Sequence, residues 1–254
     1  MDLKLNLIYI VEHDIKNFFK YKWWLAGLIS MNIADIAILA LIFNNIITRF
    51  QYFNFVLPGI VVGALFASAF AIGREINIEF RRGIHHYLLS LPLSKNEIIF
   101  GRIISGGMRG IIYMSPFLII NIIYYYSLGI TPNWQIVLLS FIILLVLSLG
   151  ISALSISMAA STRSFDLYVT LRGLFYFVLL FCSTIFYPMQ ILNTLPQPIP
   201  LIATYNPVTH GANILRNALT NQIPSIQDIL YAITFSTVFI IIGATIYSKT
   251  IQKT

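Results

Sequence analysis

The chain has 254 residues, 58% of them hydrophobic and only 10% charged. An ordinary soluble domain carries about 25% charged residues, so this composition excludes a soluble globular enzyme, a disordered chain and a coiled coil as the main content. The formal charge of +7 comes from basic residues scattered between apolar runs, which argues against nucleic acid as a partner and for an all-α polytopic membrane protein.

Leu3–Tyr21 opens the chain. Leu7, Ile8, Val11, Ile15, Phe18 and Phe19 recur at helical spacing, with Asn6, Glu12, His13, Lys16, Asn17 and Lys20 largely opposite. The pattern predicts an amphipathic helix over 3–21 lying in a membrane interface, with Trp23 and Trp24 at headgroup level. Its charges and broken apolar pattern do not read as a cleavable signal. Because a helix needs about 20 apolar residues to cross the hydrocarbon core, Trp24–Ile47, Phe53–Ile72, Ile111–Ile130, Trp134–Ala160 and Ile226–Tyr247 are predicted spans. Gly173–Tyr187 is a shorter sixth, at 15 residues. Lys4, Lys16, Lys20, Lys22, Arg74, Arg81, Arg82, Lys95, Arg102, Arg109, Arg163, Arg172, Lys249 and Lys253 fall on one side of that topology, against Arg49 and Arg216 on the other. The positive-inside rule then places both termini in the cytosol. The whole of 1–254 reads as one transmembrane domain.

Within the first span, Asp35 is the one deep acid, with Asn32 one turn before it. An intramembrane carboxylate is a functional candidate. Pairing with Arg172, a structural polar contact and substrate or proton handling all stay open. In the second span Gly59, Gly63, Ala67 and Ala71 recur every fourth residue, and in the fourth Ser148, Ser152, Ser155 and Ala159 are similar, as helices in close approach require.

The long polar stretch 74–102 is the predicted cytosolic loop. Charged and apolar residues alternate from Arg74 at a spacing that suits an amphipathic helix, with Pro92 as its stop. Ser94 and Glu97 fit a capping box, so the third helix is expected to begin at Lys95. Arg109 is expected to snorkel to the interface, because 20 apolar residues follow it. His85 and His86 are adjacent and project about 100° apart, a poor chelating pair.

Glu79-Phe-Arg-Arg-Gly83, Leu88-Leu89, Pro92-Leu93-Ser94, Glu97 and Gly101-Arg102 together resemble the signature of type-2 ABC exporter permeases of the daunorubicin-resistance-like group, with Ile84 where that group usually has Thr. The likeness continues at Phe186-Tyr187-Pro188, Asn206-Pro207 and Arg216 and covers nearly the whole chain. It implies a permease subunit in the plasma membrane, working as a homodimer with two copies of a cytosolic ABC ATPase that bind the ATP and Mg. The chain itself would need no cofactor, and it lacks the phosphate-cradling Walker sequence. The resemblance further implies that the ATPase grips Glu79, Arg81, Arg82, Gly83, Leu88 and Leu89.

The outer stretch Pro188–Gln227 holds one charged residue, Arg216, in 40 positions, and Pro196, Pro198 and Pro200 break it. A re-entrant helical hairpin over 188–225 is expected there. The 14 Tyr and 19 Phe suit an amphipathic, drug-like or lipid-like substrate. A polysaccharide exporter of the same family, a secondary transporter using Asp35 and a membrane-embedded assembly factor are the competing readings.

Overall fold

The computed structural model describes residues 3–20, 22–34, 38, 52–84, 90, 93–162 and 164–253, and its regular structure there is helical. The helices are α1 (Leu3–Lys20), α2 (Lys22–Ala34), α3 (Tyr52–Phe70), α4 (Ile72–Arg81), α5 (Lys95–Ser127), α6 (Trp134–Ser161), α7 (Phe165–Phe181), α8 (Met189–Leu192), α9 (Ile199–Tyr205), α10 (Pro207–Leu219) and α11 (Ile226–Lys253). Among the described residues, four stretches are long and apolar enough to cross a membrane: Tyr52–Arg81, Lys95–Ser127, Trp134–Ser161 and Ile226–Ile251. Against six expected spans, half of the first lies outside the described residues. The expected fifth falls on α7, 17 residues long and so about 25 Å, which is not among these four.

α3 is the central helix. Every residue from Val56 to Phe70 is buried, and α5, α6 and α10 surround it. Pro58 lies inside α3 and has no N–H to offer the carbonyl of Asn54; the Tyr125 hydroxyl donates to that carbonyl instead, at 3.0 Å. α11 packs chiefly along α6 and leaves Leu230, Ile233, Val238 and Ile241 exposed, as a helix at the lipid boundary would.

The small-residue rows fold inward, within one subunit. Ser148 Oγ donates to the Gly107 carbonyl at 2.8 Å, and Ser155 Oγ to the Phe70 carbonyl at 2.5 Å. A Cβ at Gly106 or Gly110 would collide with Ser152 or Ser148, so these glycines let α5 and α6 approach through hydroxyl–backbone contacts. Gly59 lies against the Ile185 carbonyl, where a Cβ would come within 2.7 Å.

Three boundaries differ from expectation. The second span does not end at Ile72, because the helix continues through α4 with Ile72, Gly73, Ile76 and Asn77 buried. The amphipathic helix of the loop does not run on to Pro92: α4 stops at Arg81, and Gly83 turns the chain at φ 68°. The fifth helix begins at Phe165, capped by Ser164, and ends at Phe181, so residues 182–187 form turns and not helix. The third helix starts at Lys95 with both arms of the Ser94–Glu97 capping box formed. α10 follows Asn206, whose side chain accepts from the Val208 amide at 3.0 Å.

Candidate functional site

Two polar clusters are built into opposite ends of this bundle. The first joins α1, α4 and α5. On α1, Ile10, Asp14 and Phe18 recur every fourth residue and lie on one line along the helix. Asp14 and Phe18 are buried, and Ile10 fills the space beside Gly101 of α5. Asp14 accepts from Arg102 Nη1 at 2.6 Å and from Ser105 Oγ at 2.7 Å. Arg102 Nη2 donates to Glu79 Oε2 at 2.7 Å. Two turns along α5, Arg109 donates to Glu75 Oε1 at 2.7 Å and to the Asp14 carbonyl at 2.5 Å, with its guanidinium over the Phe18 ring. The spacing explains the geometry: Arg102 and Arg109 are seven apart on one face of α5, and Glu75 and Glu79 are four apart on one face of α4. Glu12 and Lys16 pair on the exposed side of α1, and Lys16 holds the Glu12 carboxyl below its usual range.

This corrects two expectations. Arg109 does not snorkel: it is 1% exposed, and both of its Nη atoms are engaged between α1 and α4. The buried line of α1 carries an acid at its centre, whereas the apolar stripe read from sequence leaves Ile8 and Phe19 exposed.

The residues expected to meet an ATPase separate into two kinds. Glu79 belongs to the internal network. Arg81 and Arg82 are exposed, Arg81 with its guanidinium 5.2 Å from the Phe165 ring centre. Gly83 makes the turn, and Leu88 and Leu89 lie outside the described residues, as does Asp35. Asn32 is buried and donates to the Leu28 carbonyl and the Tyr113 hydroxyl, each at 3.0 Å. Arg172 is half-buried, 5.9 Å from the Phe70 ring centre, and its Nε has no partner among the described residues. No hydrogen bond joins Asn32 to Arg172 among the described residues. A cavity of about 10 Å³ beside Asn32, Gly63 and Tyr176 has room for about one water, far below the size of a drug-sized ligand site.

The second cluster lies in the 182–228 region. Arg216 donates to the carbonyls of Phe55, Thr184 and Ile185, to Thr184 Oγ1 and to Asn213 Oδ1, with its guanidinium 3.7 Å from the Phe55 ring centre. One side chain thereby pins the turn after α7 onto the start of α3. Asn206 Nδ2 donates to the Leu179 and Cys182 carbonyls, closing the end of α7. His210 contacts Asp228 and the Thr204 carbonyl. Sequence reading singled out Asn206-Pro207 and Arg216 but missed His210 and Asp228, which are 18 residues apart and meet only through tertiary structure.

The family model of the ABC-2 type transporter matches residues 7–220. The chain belongs to the ABC-2 type transporter family. It is therefore a membrane transport subunit, in a family whose members generally pair with an ABC ATPase. The match takes in both polar clusters except Asp228. No curated protein matches the sequence.

Proposed function

We propose that this chain is the permease subunit of an ABC exporter of the daunorubicin-resistance-like group, moving an amphipathic, drug-like or lipid-like compound outward across the plasma membrane. Two copies form a homodimer with two ATPase chains, which bind ATP and Mg²⁺. Six spans place both termini in the cytosol: the four long helices, α7, and the span that α2 begins. α1 lies in the cytosolic membrane interface, with Ile8, Tyr9 and Phe19 exposed on it, and Trp23 is exposed at the start of α2. The segment 188–225 dips into the outer leaflet.

The observation that carries this reading is the buried ion network of Asp14, Glu79 and Arg102, with Arg109 and Glu75 beside it. Breaking one buried pair strands a charge and costs about 3–5 kcal/mol, so α1, α4 and α5 move as one body. The network reaches Glu79, two residues before exposed Arg81, where the ATPase is proposed to bind. A push delivered there passes directly into α5, which runs the full depth of the bundle, and into α1.

The test is co-expression with an ABC ATPase, followed by co-purification and substrate-stimulated hydrolysis in reconstituted membranes. Arg82→Glu combined with Leu88→Ala and Leu89→Ala changes the proposed docking surface and leaves the ion network intact. The variant is expected to insert and fold normally but lose ATPase association or stimulation; wild-type association and stimulation would refute the reading. Glu79→Lys is a poorer probe, because it also breaks the bond to Arg102.

A further inference from the structure

The ring of His210 lies between two acceptors. Nδ1 is 2.7 Å from Asp228 Oδ1, and Nε2 is 2.9 Å from the backbone carbonyl of Thr204. A carbonyl oxygen can only accept, so Nε2 must carry a proton. Asp228 stands in the first turn of α11, where a carboxylate is favoured. Its other bonds also treat it as an anion: Ser225 Oγ donates to Oδ2 at 2.6 Å, and Asn213 Nδ2 reaches Oδ1 at 3.5 Å. Nδ1 therefore needs a proton as well. A neutral imidazole has one N–H and one lone pair, and either tautomer would point that lone pair at an oxygen less than 3 Å away.

We propose that His210 is held as an imidazolium, and that this one proton latches α9, α10 and α11 together. Each bond crosses between elements. Thr204 lies in the last turn of α9, where a carbonyl lacks its helical partner; His210 lies in the first turn of α10 and Asp228 in the first turn of α11. The positive end of α10 opposes the charge on His210, while the negative end of α9 and the Asp228 carboxylate favour it. Tyr231 of α11 stacks flat on the ring at 4.4 Å between centres, and Tyr205 of α9 meets Tyr231 edge-on. From α6, apolar Leu144 and Leu147 approach the neighbouring Gly211. Arg216 of α10 is tied to the same network through Asn213, whose carbonyl it engages, and Tyr52 of α3 holds the Phe186 carbonyl in the adjoining turn. Asp228 is the carboxylate that directly contacts His210.

The sign follows from the geometry. The charged form makes both bonds and the neutral form at most one, so the proton closes the latch and its loss loosens it. The latch faces whichever compartment the 188–225 segment faces, which is the outside under the orientation proposed above. Its chemistry does not depend on that orientation, so its test can fail separately.

The test uses the full chain in lipid nanodiscs with ¹⁵N-labelled histidine. The sequence has only four histidines, so His13→Gln, His85→Gln and His86→Gln together leave His210 as the sole signal without altering it. Both ring nitrogens are expected to carry a proton. A neutral single tautomer at neutral pH would overturn the proposal. Thermal melting is the second measurement. As pH is raised through the range in which the imidazolium signal disappears, the melting temperature should fall, and in His210→Gln that fall should be absent. Equal pH profiles for the two proteins would also overturn it.

Discussion

Arg102→Leu is the sharpest perturbation of the α1–α4–α5 body. Arg102 bonds to Asp14 at 2.6 Å and to Glu79 at 2.7 Å, with side-chain exposures of 7%, 3% and 20% respectively. At an effective dielectric of about 20, opposite charges about 4 Å apart gain about 4 kcal/mol, most of it offset by desolvation while the pair is intact. Removing the cation leaves that desolvation uncompensated. Asp14 has no route to water, whereas Glu79 can partly hydrate, so the loss is dominated by Asp14. About 3–5 kcal/mol of destabilisation is expected. Asp14→Leu added to Arg102→Leu should recover part of it, because both buried charges are then gone, giving a coupling on the order of 2 kcal/mol in the double-mutant cycle. The assay is unfolding of the purified protein in mixed micelles by denaturing-detergent titration, checked by thermal melting. Lys16→Leu, which breaks only the exposed pair with Glu12, is the control and should melt with the wild type. If Arg102→Leu behaves like this control, or the cycle is additive, the buried network is not what holds α1 to α5.

Gly150→Ala should destabilise by about 1–3 kcal/mol, since the new Cβ would sit 2.5 Å from the Ser236 Cα of α11, which is backbone and cannot swing aside; Gly173→Ala meets nothing within 4 Å inside α7 and should stabilise by about 0.5–1 kcal/mol, both read from the same melts. Arg216→Lys keeps the charge but loses the planar fork that serves the carbonyls of Phe55, Thr184 and Ile185 together, so a loss on the order of 2 kcal/mol is expected, with faster labelling of Cys182 by a thiol reagent as the turn after α7 loosens. Unchanged Cys182 labelling would show that Arg216 does not hold that turn.

Local pattern was enough for much of this molecule. Apolar runs of 20 or more residues have few alternatives to helix in a bilayer, so the spans beginning at Tyr52, Lys95, Trp134 and Ile226 were legible to within a few residues or through a cap. The Ser94–Glu97 box and the Asn206 cap are interactions within four residues, and sequence spacing alone contains them. The order of short motifs was sufficient to indicate the family. Partner choice was not legible. Asp14 was passed over, Arg102 read as a loop charge and Arg109 as an interfacial one, because nothing local shows that α1 folds back onto α5 across 88 residues to bury them. His210 and Asp228 were silent for the same reason: a lone His and a lone Asp acquire meaning only when α10 is laid against the start of α11. The end of α4 was misplaced because Gly83 can continue a helix or terminate it in a left-handed turn, and it terminates it here. A helix is specified by contacts three and four residues apart, which the sequence displays directly. The charge pairs that make helices into a machine are specified by which faces meet, and only the tertiary packing decides that.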